Sequence, residues 1–163
     1  MCSLSCAWAQ AQSDYSEAKV KAAFVFNFFK YTEWPVDATT KQIVLCLGNA
    51  NADVNSAFAP LEGRVANGRA VSVRNLPGSL DASGCNAVYI HDGAAKKVLE
   101  KLVQAKMSNV LTVGDGADFL DAGGIIGLVE TEGRMQFDVN PDPAVRGNLR
   151  FSSQMLKLAR NNR

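Results

Sequence analysis

Three stretches of the chain carry residue types that do chemistry in other proteins. The first is "NVLTVGDGADF", residues 109–119, an apolar run that meets Gly114-Asp115-Gly116. A strand ending in glycines is where many α/β proteins hold phosphate. A P-loop needs G-x-x-x-x-G-K-[ST], and no such lysine follows here. A dinucleotide site needs a third glycine, but Phe119 stands in that place. Asp115 would also repel a phosphate, so the glycines read as turn geometry at a strand end. Gly123-Gly124 reads the same way, as a turn or close backbone approach before an apolar strand.

The second stretch is His91-Asp92, a base beside a possible orienter at the end of "NAVYIHD". No G-x-S-x-G elbow supplies a nucleophile. A solvated strand end therefore leads over a hydrolase. The third is a scatter of carboxylates, Asp115, Asp118, Asp121, Glu130 and Glu132. Their spacing matches no calcium loop. Most read as surface charge, with Glu130 facing outward where it discourages edge pairing. One histidine and no C-x-x-C leave a zinc site without its ligands. No catalytic residue, cofactor or metal is expected, and a binding or regulatory module is favoured over an enzyme.

These residues need elements to position them. "SEAKVKAAFVFNFFKYTEWP" has helical spacing, with Val20, Phe24 and Phe28 on one face and Ala23, Phe26 and Tyr31 widening it. Ser16 or Asp14 suits its cap, and Pro35 stops it. Strands are expected at 42–48, 69–76, 86–93 and 109–115, with helices at 93–106 and in "NADVNSAFAPLEG". "DFLDAGG" is a short turn or helix. Residues 124–140 read as a hairpin turning at Glu132-Gly133. Pro141 and Pro143 open a last segment, where Leu149, Met155, Leu156 and Ala159 support a terminal helix capped by Ser152. Its apolar side reads as core, with an exposed partner surface as the alternative.

Alternating strands and helices predict one α/β domain in three layers, a mostly parallel central sheet flanked by helices, closed by a C-terminal antiparallel hairpin. The 163 residues suit one domain over 14–163. Residues 1–13 read as a residual signal-peptide tail or a disordered N-terminus. Ala7-Trp8-Ala9 and Ala9-Gln10-Ala11 fit a cleavage pattern there. The net charge is +1, so nucleic-acid binding has no electrostatic footprint. No apolar run reaches the roughly 18 residues of a membrane span.

Cys2 and Cys6 fall in the expected signal tail, leaving Cys46 and Cys85. In an export context an even pair reads as a disulfide; in a cytosolic core it reads as two buried thiols. If the first and third strands are parallel neighbours, the cysteines are offset by about 13 Å along the strands. A disulfide requires Cα atoms within about 7 Å. Bridging them then needs antiparallel strands, an earlier third strand, or a lead-in loop that folds back.

Six stretches together resemble the YfiR family of periplasmic regulatory proteins: "KAAFVFNFFKYTEWP", "IVLCLGN", "SGCNAVYI", "VLTVGDGADFLDAGGIIGLV", "EGRMQFDVN" and "LRFSSQMLKLAR". They span residues 18 to 160 in order. The resemblance implies a periplasmic domain that represses a membrane-bound diguanylate cyclase by binding its periplasmic sensor region. Cyclic di-GMP signalling and biofilm formation would fall with it. It also implies an outer-membrane lipoprotein as a sequestering partner, homodimer formation, and redox sensitivity at the cysteines. Cys46 and Cys85 match the family's cysteine pair. A second, more C-terminal bridge found in some relatives has no counterpart, since no cysteine follows Cys85. The surface implicated in repression maps to Phe119, Glu130 and Gln154. A second function reading is a small-molecule sensor with its pocket around Gly48, His91 and Gly114, at the carboxyl ends of the strands.

Overall fold

The computed structural model describes residues 16–35, 41–116 and 118–162. The expected signal tail at 1–13, with Cys2 and Cys6, lies outside the described residues.

The chain opens with helix α1 (Glu17–Tyr31), capped by Ser16, whose side chain accepts from the Lys19 amide. Strand β1 (Thr32–Glu33) and the long strand β2 (Gln42–Gly48) follow. Next come α2 (Ala52–Phe58), a 3-10 turn (Ala59–Leu61), β3 (Val65–Ala66) and β4 (Arg69–Asn75). Then β5 (Ala87–Ile90), α3 (Ala95–Gln104), β6 (Leu111–Asp115) and α4 (Asp118–Asp121). The hairpin β7 (Ile126–Thr131) and β8 (Arg134–Val139) precedes α5 (Pro141–Arg146), β9 (Arg150–Phe151), α6 (Ser153–Leu158) and β10 (Asn161–Asn162).

The main sheet runs β10-β8-β7-β6-β5-β2-β4-β3, while β1 and β9 form a separate antiparallel pair. β2, β4, β5, β6 and β7 are parallel, in spatial order second-first-third-fourth-fifth. That is the flavodoxin-like doubly wound order. The β7–β8 hairpin is antiparallel. It turns at Glu132 (φ 52°) and Gly133 (φ 72°), two left-handed residues as a tight primed turn requires.

Period-2 alternation sorts the core into two layers. Leu45, Leu47, Ala87, Tyr89, Leu111, Val113, Ile126 and Leu128 pack with α1, α2 and Met155 of α6. Cys46, Val88 and Ile90 point the other way, against Val98, Leu99 and Leu102 of α3 and Phe119 of α4. The expected three-layer α/β domain with a mostly parallel sheet and a closing hairpin is therefore the observed one.

The short strands β1, β3, β9 and β10 are not expected from sequence, Leu149 falls before α6, and two longer elements also differ from their sequence reading. The buried stripe of α1 is Lys21, Ala22, Val25, Phe26, Phe28 and Phe29, leaving Val20 and Phe24 half-buried and Ala23 exposed. A helix that is apolar on several sides does not choose its own inner face. Here rings decide: Phe28 meets Phe137 edge-on at 4.9 Å, and Phe29 lies 6.0 Å from Trp34. The second difference is α5, where Pro141-Asp142-Pro143 starts a helix instead of merely preceding one. Asn140 caps it, and proline at the first helical position needs no N–H partner.

Candidate functional site: the strand ends at the switch point

Between β2 and β5 the chain connections leave the sheet toward opposite layers. β2 leads to α2 on the α1 side, and β5 leads to α3 on the other. Crevices at such points, beyond the carboxyl ends of the strands, are the usual ligand sites of doubly wound sheets. This one is a small cleft of about 250 Å³, lined by residues that include Glu17, Lys21, Asn51, Asp53, Tyr89 and His91.

Asp115, the last residue of β6, is the hub. Its Oδ1 accepts from the Tyr89 hydroxyl at 3.0 Å and lies 3.1 Å from Lys21 Nζ. Its Oδ2 lies 3.3 Å from His91 Nδ1. That nitrogen is buried and within ion-pair distance, but among the described residues no partner is aligned for a proper hydrogen bond. Lys21 Nζ is also 2.7 Å from Glu17 one turn back on α1. On the far side of the ring, His91 Nε2 faces Asn51 Nδ2 at 3.4 Å. Which ring nitrogen donates depends on the tautomer, and Asn51 Nδ2 can donate only to an unprotonated Nε2.

The local sequence explains the placement. Asn49 sits in the left-handed region (φ 56°) and turns the chain out of β2, donating to the His91 and Asp92 carbonyls. Asn51 caps α2, accepting from the Val54 amide at 2.9 Å. Burial disfavours the charged form of Lys21, but the Glu17 hydrogen bond and the charge and hydrogen bond of Asp115 outweigh it. The ammonium is held above its ordinary range. Burial first, and then the charge of Asp115, pushes the Tyr89 phenol far above its ordinary value. Both shifts favour the protonated forms, in which an amine and a phenol are hydrogen-bond donors. The arrangement can tie α1 to the strand ends and offer polar groups to a small ligand.

The sequence pairs His91 with Asp92, but the structure pairs it with Asp115, 24 positions on. Asp92 is exposed in the turn. Asp115 is likewise a half-buried hub and not free surface charge. Lys21 and Tyr89 escape sequence reasoning, although a lysine inside an aromatic-rich helical stripe is the signal that could have found the first. Of the expected sensor pocket, Gly48 and His91 do meet at the strand ends. Gly114 does not open into it: a Cβ there would lie 2.3 Å from the Phe119 ring.

Cys46 and Cys85 form a disulfide with Cα atoms 6.0 Å apart. β2 and β5 are parallel, and Cys46 is in register with Val88. The loop before β5 folds back, with the Cys85 amide bonded to the Ala82 carbonyl and the Asn86 amide to the Val44 carbonyl. Arg74 at the end of β4 lies across the bridge, with Nε 3.1 Å from Cys46 Sγ and Nη2 3.4 Å from Cys85 Sγ.

The three partner-surface residues do not gather. Phe119 is 2% exposed and belongs to the α3-side layer, so its ring is core and is not presented to a partner. The reason is space: Gly114 and Gly124 leave a slot that the ring fills. Glu130 and Gln154 are exposed, the first opposite Met135 on the hairpin and the second on α6. Ile126 and Leu128 face the α1-side layer, and by alternation Glu130 points to the same side. Met155 docks α6 in that layer too.

Two solved structures share this fold. A conserved domain protein from Vibrio cholerae O1 biovar El Tor aligns with a TM-score of 0.58 at 13% identity, over 93% of this chain and 62% of that one. The ABC domain from Streptococcus pneumonia, solved in complex with L-Trp, aligns at 0.51 and 11% identity, over 75% and 56%. The chain thus spans less than two thirds of either neighbour's length. No curated protein matches it. The profile of the YfiR/HmsC-like family matches residues 18–160, from the second residue of α1 to the last residue before β10. With that match over nearly the whole described domain, the chain belongs to the YfiR/HmsC-like family.

Proposed function

We propose that this protein is a periplasmic repressor of a membrane-bound diguanylate cyclase. It would hold the cyclase's periplasmic sensor region in its inactive state and so lower cyclic di-GMP and biofilm formation. The observation that carries the reading is the family match over residues 18–160. Among the described residues no helix is long and apolar enough to cross a membrane. Repression works by population shift, limited to the difference in affinity for the two receptor states. The contact surface in this reading includes Glu130 and Gln154, with Phe119 anchoring the α4 turn from inside. An outer-membrane lipoprotein that sequesters the repressor, and a homodimer, complete the scheme.

The test is co-purification with the periplasmic region of the cyclase encoded beside the gene, together with cyclic di-GMP measured with and without the repressor. Association and a rise on deletion support the reading. Failure to associate with no change in cyclic di-GMP rejects it.

A second reading is favoured by one feature, the polar cleft at the switch point. A small molecule bound against Lys21, Asn51 and His91 would make the protein a periplasmic sensor. Thermal-shift screening of polar metabolites against wild type and Asn51→Ala separates it from the first.

A further inference from the structure

We infer that the groove between α3 and α5 is a binding site for an amphiphilic carboxylate, a molecule with an apolar body and one anionic end. It is distinct from both sites above. A doubly wound sheet normally covers each face with crossover helices, but the crossover from β6 to β7 supplies only α4, four residues long. The face it leaves open becomes a groove of about 630 Å³, within the range of small-ligand pockets. Leu102, Val103, Met107, Val110, Ile125 and Pro143 make it apolar. Val103 is 77% exposed and carries the apolar lining out to the mouth of the groove.

Its wall is fixed in advance. Gly147 at the end of α5 packs so closely on the chain before β6 that a Cβ would lie 1.7 Å from the Ser108 carbonyl oxygen. Ser108 lines the groove, so this contact sets the spacing of one of its walls.

Charge selects the occupant. Lys106 and Arg146 line the groove, both exposed, and among the described residues neither makes an ion pair within 4.0 Å. Among the described residues Glu100 is the one acidic residue in the lining, so the two cations outnumber it. Two copies of this face would repel each other. A carboxylate at the mouth meets two unpaired cations, while its chain covers Val103 and Met107.

The test is calorimetric titration of the full chain with dodecanoate, held below its micelle concentration, and with dodecyltrimethylammonium as the opposite-charge control. Saturable one-to-one binding of dodecanoate is expected, at least tenfold tighter than the cation. Lys106→Glu/Arg146→Glu should reverse the preference, and Val103→Asp should weaken dodecanoate at least tenfold. All three positions are exposed, so circular dichroism should be unchanged. Equal affinity for both amphiphiles, or indifference to the charge reversal, overturns the assignment. So does no saturable dodecanoate binding beside a partner complex that Lys106→Glu/Arg146→Glu weakens, which would make the occupant an acidic helix of a partner protein.

Discussion

Gly114 leaves the space that the ring of Phe119 fills: a Cβ at 114 would lie 2.3 Å from the ring's Cδ2, and one at Gly124 would lie 2.1 Å from Cε1. Glycines in this stretch suggest a ligand loop, but their occupant is the protein's own side chain. Gly114→Ala should therefore cost about 3 kcal/mol, the upper end of overpacking. Phe119→Ala should cost roughly 3–5 kcal/mol through the cavity it opens. In Gly114→Ala/Phe119→Ala the costs should be well below additive, since the smaller side chain relieves the clash. Urea midpoints of the four proteins check this, and strict additivity would contradict the slot.

The disulfide closes a sequence separation of 39 residues. Replacing both cysteines by alanine should lower stability by roughly 3–4 kcal/mol in the chain-entropy model. Reduction of the wild type should lower the urea midpoint comparably and leave the double variant unmoved. A wild type equally stable in both redox states would show that the bridge contributes nothing.

Alkali should weaken the fold through the Asp115 hub. Lys21 has its folded pKa raised, so its contribution is complete below the unfolded value of about 10.4 and is lost as pH rises through the folded value. Tyr89 acts in the same direction. Above about pH 10 the unfolded chain gives up the phenolic proton, while the folded chain, with its pKa pushed up, retains it. Melting temperature should therefore fall steeply above about pH 10, and Tyr89→Phe should make that fall shallower. An identical alkaline slope in the variant would count against the raised phenol.

Glu130→Lys reverses a charge on an exposed position of the hairpin and should leave stability within about 0.5 kcal/mol of wild type. Under the repressor reading it should weaken association with the cyclase's periplasmic region by roughly tenfold, about 1.4 kcal/mol. Gln154→Arg should act in the same direction. Pull-down affinity and cellular cyclic di-GMP both report it. Unchanged values for the two variants would move the contact surface elsewhere.

Periodicity alone determined most of this fold. Alternating apolar runs and helical stripes placed the long strands, α1 and α3, and Glu132-Gly133 marked its hairpin, because side-chain period and turn conformation are local properties. The six matching stretches carried the family. What only the tertiary structure decided were meetings between distant positions. His91 turned to Asp115 and not to its neighbour Asp92. Cys85 reached Cys46 because its lead-in loop folds back over a parallel strand, a choice the sequence left among three. Lys21 chose the inner face of a helix that is apolar on several sides. Phe119 went into the core and not to a partner, because two glycines ten positions apart in the chain came to lie on either side of one ring. Local pattern says which residues can be buried or paired; the packing of separate elements alone sets which of them meet.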